Sequence, residues 1–334
     1  MSDRDSLIAD FVARAGWGDA RRGRLAGDAS FRKYDRLVRP GGSAVLMDAP
    51  PPMEDVRPFL RIARHLGGLG YSAPAVYAED VDAGLLLLED LGDDTYTRLL
   101  ARGHDEAALY RLAADVLVDL HRRPAGAAVP AGVPDYDDAR LLAEASLLTD
   151  WYMPAIFGRP TDPAAAGSYR AAWQAALAAA RGVPATLVLR DYHVDNLLLL
   201  PGRDGIAACG LLDFQDAVKG PVAYDFVSLV EDARRDVDPA LAAMLRARYL
   251  AAFPDLDPAA FDAAVAVLGA QRHCKVIGIF TRLCVRDGKP AYLVHIPRLW
   301  RLLERALAHP ALAPVRTWID FEIPRERRVV PDVG

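Results

Sequence analysis

Strand-like apolar runs dominate the first part of the chain, and helical periodicity dominates the rest. Predicted strands lie between residues 25 and 38, at 45–47, around 75–77 and at 85–88, with a turn at 40–42. Helices are predicted at residues 5–15, with Leu7, Ile8, Phe11 and Val12 on one face, and at 54–66. We expect this part to fold as a small lobe rich in β-sheet.

From Thr95 onward, apolar residues recur at helical spacing. Predicted helices cover residues 95–121, 137–152, 165–181, 222–233, 239–252, 258–287 in two pieces, and 296–308. His121 is expected to cap the helix that it ends, and the charged tail from Pro324 is expected to be solvated. A chain of 334 residues exceeds one typical core, so we expect an α+β protein of two lobes.

Polar residues interrupt the apolar strands of the second part at one place. Apolar runs at residues 186–189 and 197–200 bracket Asp191 and Asn196, and a third predicted strand, residues 207–212, leads into Asp213. A phosphoryl-transfer site has three such polar parts: an acid that accepts a hydroxyl proton, an Asn five residues later and a further Asp. Asn196 and Asp213 offer the oxygen ligands that Mg²⁺ prefers, and His193 is placed to donate to the γ-phosphate.

The alternative is that the polar residues between the strands are ordinary turn formers in a hairpin. The ordered strand before Asp213 and the following segment at residues 220–226 favour a phosphoryl-transfer site instead. The sequence therefore predicts a kinase that uses ATP and Mg²⁺.

Residues 190–196 resemble the catalytic loop of the protein-kinase-like superfamily, and His193, two places after the acid, resembles the aminoglycoside phosphotransferase and choline kinase branch. The resemblance implies a protein-kinase-like fold with a small antiparallel-sheet lobe and a larger, mainly helical lobe. Residues 1–91 would form the nucleotide-binding lobe, ending in a hinge, and residues 92–334 the catalytic and substrate-binding lobe.

The same resemblance assigns roles to four residues. It implies that Asp191 is the catalytic base, that Asn196 and Asp213 are the Mg²⁺ ligands, and that Asp225 is a structural acid that braces the catalytic loop. Four further segments are similar to bacterial anomeric sugar kinases of cell-wall recycling, namely residues 27–34, 44–51, 88–93 and 232–237. Such kinases phosphorylate the 1-hydroxyl of N-acetylmuramate and N-acetylglucosamine.

Two departures from the kinase pattern concern the phosphate-binding lysine. Met47 stands where that Lys is expected in the third strand, directly after the apolar residues 45–46. The helix that would carry its Glu partner presents Phe59, Ile62 and Ala63 inward. Losing both partners together avoids leaving one buried charge alone. We expect Arg32, or else Lys33, to supply the missing positive charge.

The nucleotide is expected to meet a short turn and the hinge. Gly27, Asp28 and Ser30 form a turn whose backbone N–H groups suit phosphates, although a plain hairpin turn fits the same residues. At the hinge, Glu89 and Leu91 would offer backbone atoms to adenine, with the side chains of Glu89 and Asp90 in solvent.

A sugar requires carboxylates and amides for its hydroxyls and an aromatic face for its ring. The candidates, each weighed against a surface or packing role, are Trp151, Gln215, Asp216, Asp232 and Arg234. A carboxylate on the sugar would favour a guanidinium, for which Arg234, Arg235 and Arg282 are open alternatives.

Composition excludes several other classes. The formal net charge of −5 does not favour nucleic-acid binding. The three cysteines are widely spaced, which is typical of buried thiols in a reducing compartment. No signal-peptide pattern or membrane-spanning run is evident, so we expect a cytoplasmic enzyme with a small-molecule sugar substrate and no obligate protein partner.

Three other functions are compatible with parts of the pattern. The scaffold and the Mg²⁺ site do not fix the acceptor, so an aminoglycoside or another small alcohol is an alternative substrate. A protein kinase is disfavoured, because a three-Gly phosphate loop and an Ala-Pro-Glu segment are both missing. The absent strand lysine leaves a non-catalytic, nucleotide-binding pseudokinase as an alternative of another class.

Overall fold

The computed structural model describes residues 3–25 and 31–332. Packing divides them into two compact units. The first unit comprises the described residues up to Val116 together with Val194–Ala217, and the second comprises Leu117–His193 and the described residues from Val218 onward. The predicted lobe boundary after residue 91 was drawn from sequence pattern, a different criterion, and stays a prediction.

The strands form one five-stranded sheet and two separate two-stranded sheets. Their bounds are β1 (Arg21–Arg24), β2 (Lys33–Arg39), β3 (Gly42–Asp48), β4 (Val76–Asp80), β5 (Leu85–Glu89), β6 (Ala185–Val188), β7 (Leu197–Leu199), β8 (Cys209–Leu211) and β9 (Val218–Pro221). The five-stranded antiparallel sheet has the order β1-β2-β3-β5-β4, and the pairs are β6 with β9 and β7 with β8.

The α-helices occupy most of the remaining chain. Their bounds are α1 (Asp3–Arg14), α2 (Arg57–Gly68), α3 (Tyr96–Ala101), α4 (Glu106–Arg122), α5 (Ala125–Ala128), α6 (Asp138–Ala145), α7 (Met153–Phe157), α8 (Pro163–Ala180), α9 (Ala223–Val230), α10 (Pro239–Ala252), α11 (Pro258–Asp287), α12 (Ile296–Ala306) and α13 (Ala313–Glu322). The predicted α+β class, with a small antiparallel sheet and a mainly helical remainder, is confirmed.

The first unit builds its core on the five-stranded sheet. Helix α1 buries Ile8, Phe11 and Val12 against sheet residues such as Leu37. Leu7 was predicted on this face but is 37% exposed, because it lies at the edge of the i, i+3, i+4 stripe. Helix α2 buries the apolar face that the sequence predicted.

The second unit is organised around α11. The sequence predicted two pieces, but α11 is one continuous helix of 30 residues. Gly278 allows this helix to lie against the chain at Leu147, since a Cβ there would come within 2.3 Å of the Leu147 backbone. Helix α11 is long and apolar enough to cross a membrane. However, 72% of its apolar 18-residue stretch is buried inside the fold, as in a core helix.

Two local predictions for the second unit were wrong. His121 does not act as a helix cap, because its Nδ1 lies 2.7 Å from the hydroxyl of Tyr249. The tail from Pro324 is not solvated as a whole. The Arg328 side chain is 5% exposed and pairs with Glu304 and Asp320 at 2.7 and 2.6 Å.

Candidate active site

A cavity of about 350 Å³ opens within the first unit. Its apolar walls are Leu25, Tyr34, Val45, Phe59, Pro74, Leu88, Leu91, Leu198 and Leu212. Its polar lining consists of Arg36, Glu89, Asp90, Asp93, Thr95, Arg98, Asn196, Asp213 and Gln215. An apolar slot with polar groups at its rim is the usual shape of a site for a flat heterocycle that carries charged groups.

The structure brings Asn196 and Asp213 together in this lining. Asn196 precedes β7 and Asp213 follows β8, and the register of that pair aligns the ends of the two strands. The Leu212 N–H donates to the Asn196 carbonyl at 2.9 Å, and Asn196 Nδ2 lies 3.4 Å from Asp213 Oδ2. Asp213 has a φ of +58°, a left-handed conformation that is uncommon for a residue other than glycine.

The two side chains suit a magnesium ion that is held partly by phosphate oxygens. Mg²⁺ is commonly bound through one or two carboxylates together with phosphates and water. The Asp213 side chain is 38% exposed, so its oxygens are accessible, and the Asn196 amide can turn its oxygen to the same point. The described residues contain no cluster of three or more His, Cys, Asp or Glu side chains that would bind a metal by itself.

Gln215 belongs to the same cluster. Its Nε2 donates to Asp213 Oδ1 at 2.7 Å. Gln215 was predicted to contact the sugar. In the structure, this hydrogen bond orients the Asp213 carboxylate.

A cation lies beside Asp213 although the strand lysine is missing. Met47 is buried within the sheet, paired with Leu86 of β5. The Arg32 guanidinium lies 3.8 Å from Asp213 Oδ1 and 3.8 Å from Glu54 Oε2, with its side chain 12% exposed. Glu54 also accepts the N–H of Phe31 at 3.1 Å. A charge pair thus exists here, on residues other than those of the usual kinase pattern.

The hinge carboxylates differ from the prediction that they would be solvated. Glu89 pairs with Arg203, and Asp90 pairs with Arg36 at 2.8 Å. The backbone N–H of Glu89 donates to Ala75 at 2.8 Å, so it is already used. The N–H of Leu91, a residue that lines the cavity, makes no hydrogen bond with the described residues, so it remains an unused donor at the hinge.

The second unit contains Asp191, directly after a constrained residue. Arg190 has a φ of +71°, which a non-glycine residue adopts only when its surroundings fix it. The backbone N–H groups of Leu189 and Arg190 both donate to the buried Asp225 carboxylate, at 2.6 and 2.9 Å. Ser228 Oγ donates to the Arg190 carbonyl at 3.2 Å. Burial raises the pKa of Asp225 to about 7.

Electrostatics favour an ionised Asp191 and a neutral His193 near pH 7. Burial raises the pKa of the Asp191 carboxyl, but its neighbours, Lys275 foremost and then His193 and Arg272, hold it below its ordinary value. Burial lowers the pKa of His193, and the neighbouring Asp232 offsets this only in part. Asp191 is therefore charged as a base must be, and His193 retains one N–H to donate.

Glu144 was missed by the sequence analysis. It pairs with the Arg190 guanidinium, with Lys275 at 3.1 Å and with the hydroxyl of Tyr136. Glu144 thereby fixes the side chain next to Asp191. Its partners are scattered along the chain, so no local pattern could have revealed it.

The other predicted sugar contacts are placed as follows. Trp151 lies half-buried on a π-helical turn, Leu148–Tyr152, and Asp216 is exposed. Asp232 is 1% exposed and accepts the N–H of Arg234 at 2.8 Å. Gly27, Asp28 and Ser30 lie outside the described residues.

Comparisons with known proteins agree with this chemistry. A family model described as the phosphotransferase enzyme family matches residues 22–261. The N-acetylmuramate/N-acetylglucosamine kinase of Caulobacter vibrioides is 40% identical, with 98% of this chain and 99% of that protein covered. The protein of the same name from Pseudomonas aeruginosa is 38% identical, with 92% and 91% covered.

Solved structures show the same fold at low sequence identity. A choline/ethanolamine kinase family protein from Mesorhizobium loti has a TM-score of 0.62 at 16% identity, covering 94% of this chain and 99% of that one. Choline kinase LicA from Streptococcus pneumoniae has a TM-score of 0.62 at 11% identity, covering 92% and 100%. The predicted kinase-like fold is confirmed by this likeness.

Proposed function

Because the chain belongs to the phosphotransferase enzyme family, we propose that it transfers the γ-phosphate of ATP to the anomeric 1-hydroxyl of an amino sugar, N-acetylmuramate or N-acetylglucosamine. The observation that carries this proposal is the likeness along nearly the whole chain to relatives named as kinases of those two sugars. The product would be a sugar 1-phosphate, as the recycling of cell-wall sugars in the cytoplasm requires.

We assign ATP to the cavity of the first unit. Its apolar walls would suit the adenine ring, and the unused N–H of Leu91 would donate to the edge of that ring. We assign the phosphates to the end of the cavity with Asp213, where Arg32 offers a positive charge. Asn196 and Asp213 would hold Mg²⁺, which when bound supplies charge neutralisation on the phosphate oxygens.

Asp191 would accept the proton of the attacking hydroxyl. Its carboxylate is ionised near pH 7, and the Asp225 hydrogen bonds keep the backbone before it in one conformation. The neutral imidazole of His193 would donate a hydrogen bond to the transferring phosphate. An anomeric hydroxyl is more acidic than other sugar hydroxyls, so a carboxylate is an adequate base for it.

The test is product analysis by phosphorus NMR after the purified chain is incubated with ATP, Mg²⁺ and each sugar. We expect a sugar 1-phosphate, which acid hydrolyses faster than a 6-phosphate. Asp191→Asn should lower kcat by about 10³-fold, within the range known for removing a general base, with the affinity for ATP nearly unchanged. Asp204→Asn, an exposed carboxylate between β7 and β8, is the matched control and should keep kcat.

Three results would contradict the proposal. A 6-phosphate product would exclude the anomeric assignment. Preferential turnover of kanamycin or choline would place the enzyme with the other alcohol kinases. The absence of transfer to any acceptor, with ATP still bound, would indicate a pseudokinase.

A further inference from the structure

Two buried charged side chains of the second unit have polar atoms without a hydrogen-bonding partner in the described part of the chain. Arg272, on α11, is 4% exposed, and its Nη1 is buried and unpaired. Asp232, just after α9, is 1% exposed, and its Oδ2 is likewise buried and unpaired. Its other oxygen, Oδ1, is used by the Arg234 N–H.

Such an arrangement is unfavourable in a protein without its ligand. Burying a charged group whose hydrogen-bonding atoms are unsatisfied is strongly unfavourable, and opposite charges in the interior normally pair. Here Nη1 of the Arg272 guanidinium lacks an acceptor, and Oδ2 of the Asp232 carboxylate lacks a donor, among the described residues. A ligand that carries an anionic group and a hydroxyl would satisfy both.

Both side chains lie in the neighbourhood of the reacting groups. Arg272 is one helical turn before Lys275, which binds the Glu144 carboxylate that also holds Arg190. Asp232 follows the helix whose Asp225 accepts the N–H groups before Asp191. Arg272 and Asp232 also both act electrostatically on His193.

Other cations of the second unit are less suited to bind an anion. Lys275 is already engaged by Glu144 at 3.1 Å. The Arg234 guanidinium lies over the ring of Phe280, 5.8 Å from its centroid. Arg282 also has a buried, unpaired Nε, but its side chain is only partly buried and lies near the like charge of Arg286, towards the end of α11. Arg272 combines burial with an unused N–H donor.

We propose that Arg272 binds the carboxylate of the acceptor sugar and that Asp232 accepts a hydrogen bond from one of its hydroxyls. The inference rests on the proposed function and deepens it: this site distinguishes a sugar acid from its neutral counterpart. N-acetylmuramate carries a lactyl carboxylate that N-acetylglucosamine lacks, and a guanidinium grips a carboxylate through two parallel hydrogen bonds.

The test compares kcat/KM for the two sugars at saturating ATP. Arg272→Gln should raise the preference for N-acetylglucosamine over N-acetylmuramate by about 30-fold, as expected for losing a charge-assisted bidentate contact. Arg272→Lys keeps the charge but loses the second hydrogen bond, so its shift should be smaller. Arg286→Gln removes an exposed charge from the same helix and should leave the preference within about twofold of the wild type.

Asp232→Asn should lower kcat/KM for both sugars by about tenfold or more, because both carry the hydroxyl that it would bind. Melting temperatures identify variants that fold poorly, and if Arg272→Gln is one of them, Arg272→Lys carries the comparison. An equal loss for the two sugars in the Arg272 variants would overturn the inference and indicate that Arg272 acts on Asp191 or on the phosphates.

A binding measurement separates this inference from the proposed function. Without nucleotide, N-acetylmuramate should raise the melting temperature of the wild type more than N-acetylglucosamine does, and Arg272→Lys should reduce the difference. Failure of the wild type to phosphorylate either sugar would refute the proposed function alone. Equal stabilisation by both sugars would refute the carboxylate site, whatever the activity.

Discussion

At the scale of single residues, the loss of the strand lysine is accompanied by a cation at another position. Met47 is buried in the sheet. Its thioether is uncharged, so it cannot stabilise phosphates as the ammonium group of a lysine would. Arg32 lies 3.8 Å from the carboxylate proposed to hold Mg²⁺ and is oriented by Glu54. We propose that Arg32 acts on the phosphates in place of the lysine, with Glu54 as its positioning partner.

We therefore expect Arg32→Ala to lower kcat/KM for ATP by about 100-fold, the order typical of removing one group that stabilises transferring charge. Arg32→Lys should recover part of this loss, because the charge is kept and the planar geometry is not. Steady-state kinetics with ATP as the varied substrate measure both. Arg21→Ala, on exposed β1, is the control, and a similar loss in that variant would argue against a specific role for Arg32.

The structure provides the most direct check for the residues that were predicted from local spacing. Asn196 and Asp213 were expected to converge, and they lie 3.4 Å apart, because a short strand pair fixes the ends next to which they stand. Arg272 and Glu144 were not predicted. The partners of Glu144 are distant in sequence, and the burial of Arg272 is not expected from pattern reasoning, which assigns a charged residue within a helix to the solvent.

At the scale of elements, the continuity of α11 depends on close packing at Gly278. A Cβ at this position would lie 2.3 Å from the carbonyl of Leu147, a backbone atom that cannot move aside as a flexible side chain can. The apolar pattern alone indicated two helices, since a buried polar run at residues 271–275 interrupts it. The structure keeps one helix because these polar groups face Glu144, Glu231 and the proposed acceptor site.

Gly278→Ala should lower the free energy of unfolding by about 2 kcal/mol or more, the cost of overpacking against backbone. Gly167→Ala, in the second turn of α8, is the matched control, because a Cβ there meets no atom within 4 Å. That change should stabilise the protein by up to about 1 kcal/mol through helix propensity. Urea denaturation measures both, and equal effects of the two changes would contradict the packing argument.

The presence of helices and strands was predicted more reliably than the residues at which they begin and end. Four of the five strands of the sheet and most helices follow from apolar periodicity, which reports the buried face directly. Strand β1 was not predicted, because all four of its residues are exposed and none is a large apolar residue. The start of β8 was placed too early because Gly205–Ala208 form a 3-10 turn with no pattern of its own. Helix α13 was not predicted, and the tail after it is tied by Arg328 to residues that are close only in the folded chain.

At the scale of the whole molecule, stability depends on pH through groups whose pKa differs between the folded and unfolded chains. Burial lowers the pKa of His121 to about 3, where Nδ1 meets Tyr249 and Nε2 is enclosed. The folded chain keeps this imidazole neutral, whereas the unfolded chain takes up a proton below about pH 6.5. The contribution is therefore present above pH 6.5 and is lost as the pH falls towards 3.

The wild type should lose about 1 to 2 kcal/mol more of its free energy of unfolding than His121→Gln between pH 7.5 and 5. Asp225, whose raised pKa acts in the opposite direction, is common to both proteins, so the difference isolates His121. Denaturation curves at the two pH values give the result. Parallel losses in the two proteins would show that the imidazole is accessible to protons in the folded state.

The thioether at position 47 has a practical consequence for chemical profiling. Nucleotide analogues with an acylating phosphate report on kinases by modifying the amine that normally touches the triphosphate. Among the described residues, no lysine lines the cavity of the first unit. We therefore expect such reagents to label this chain less than kinases that keep the strand lysine.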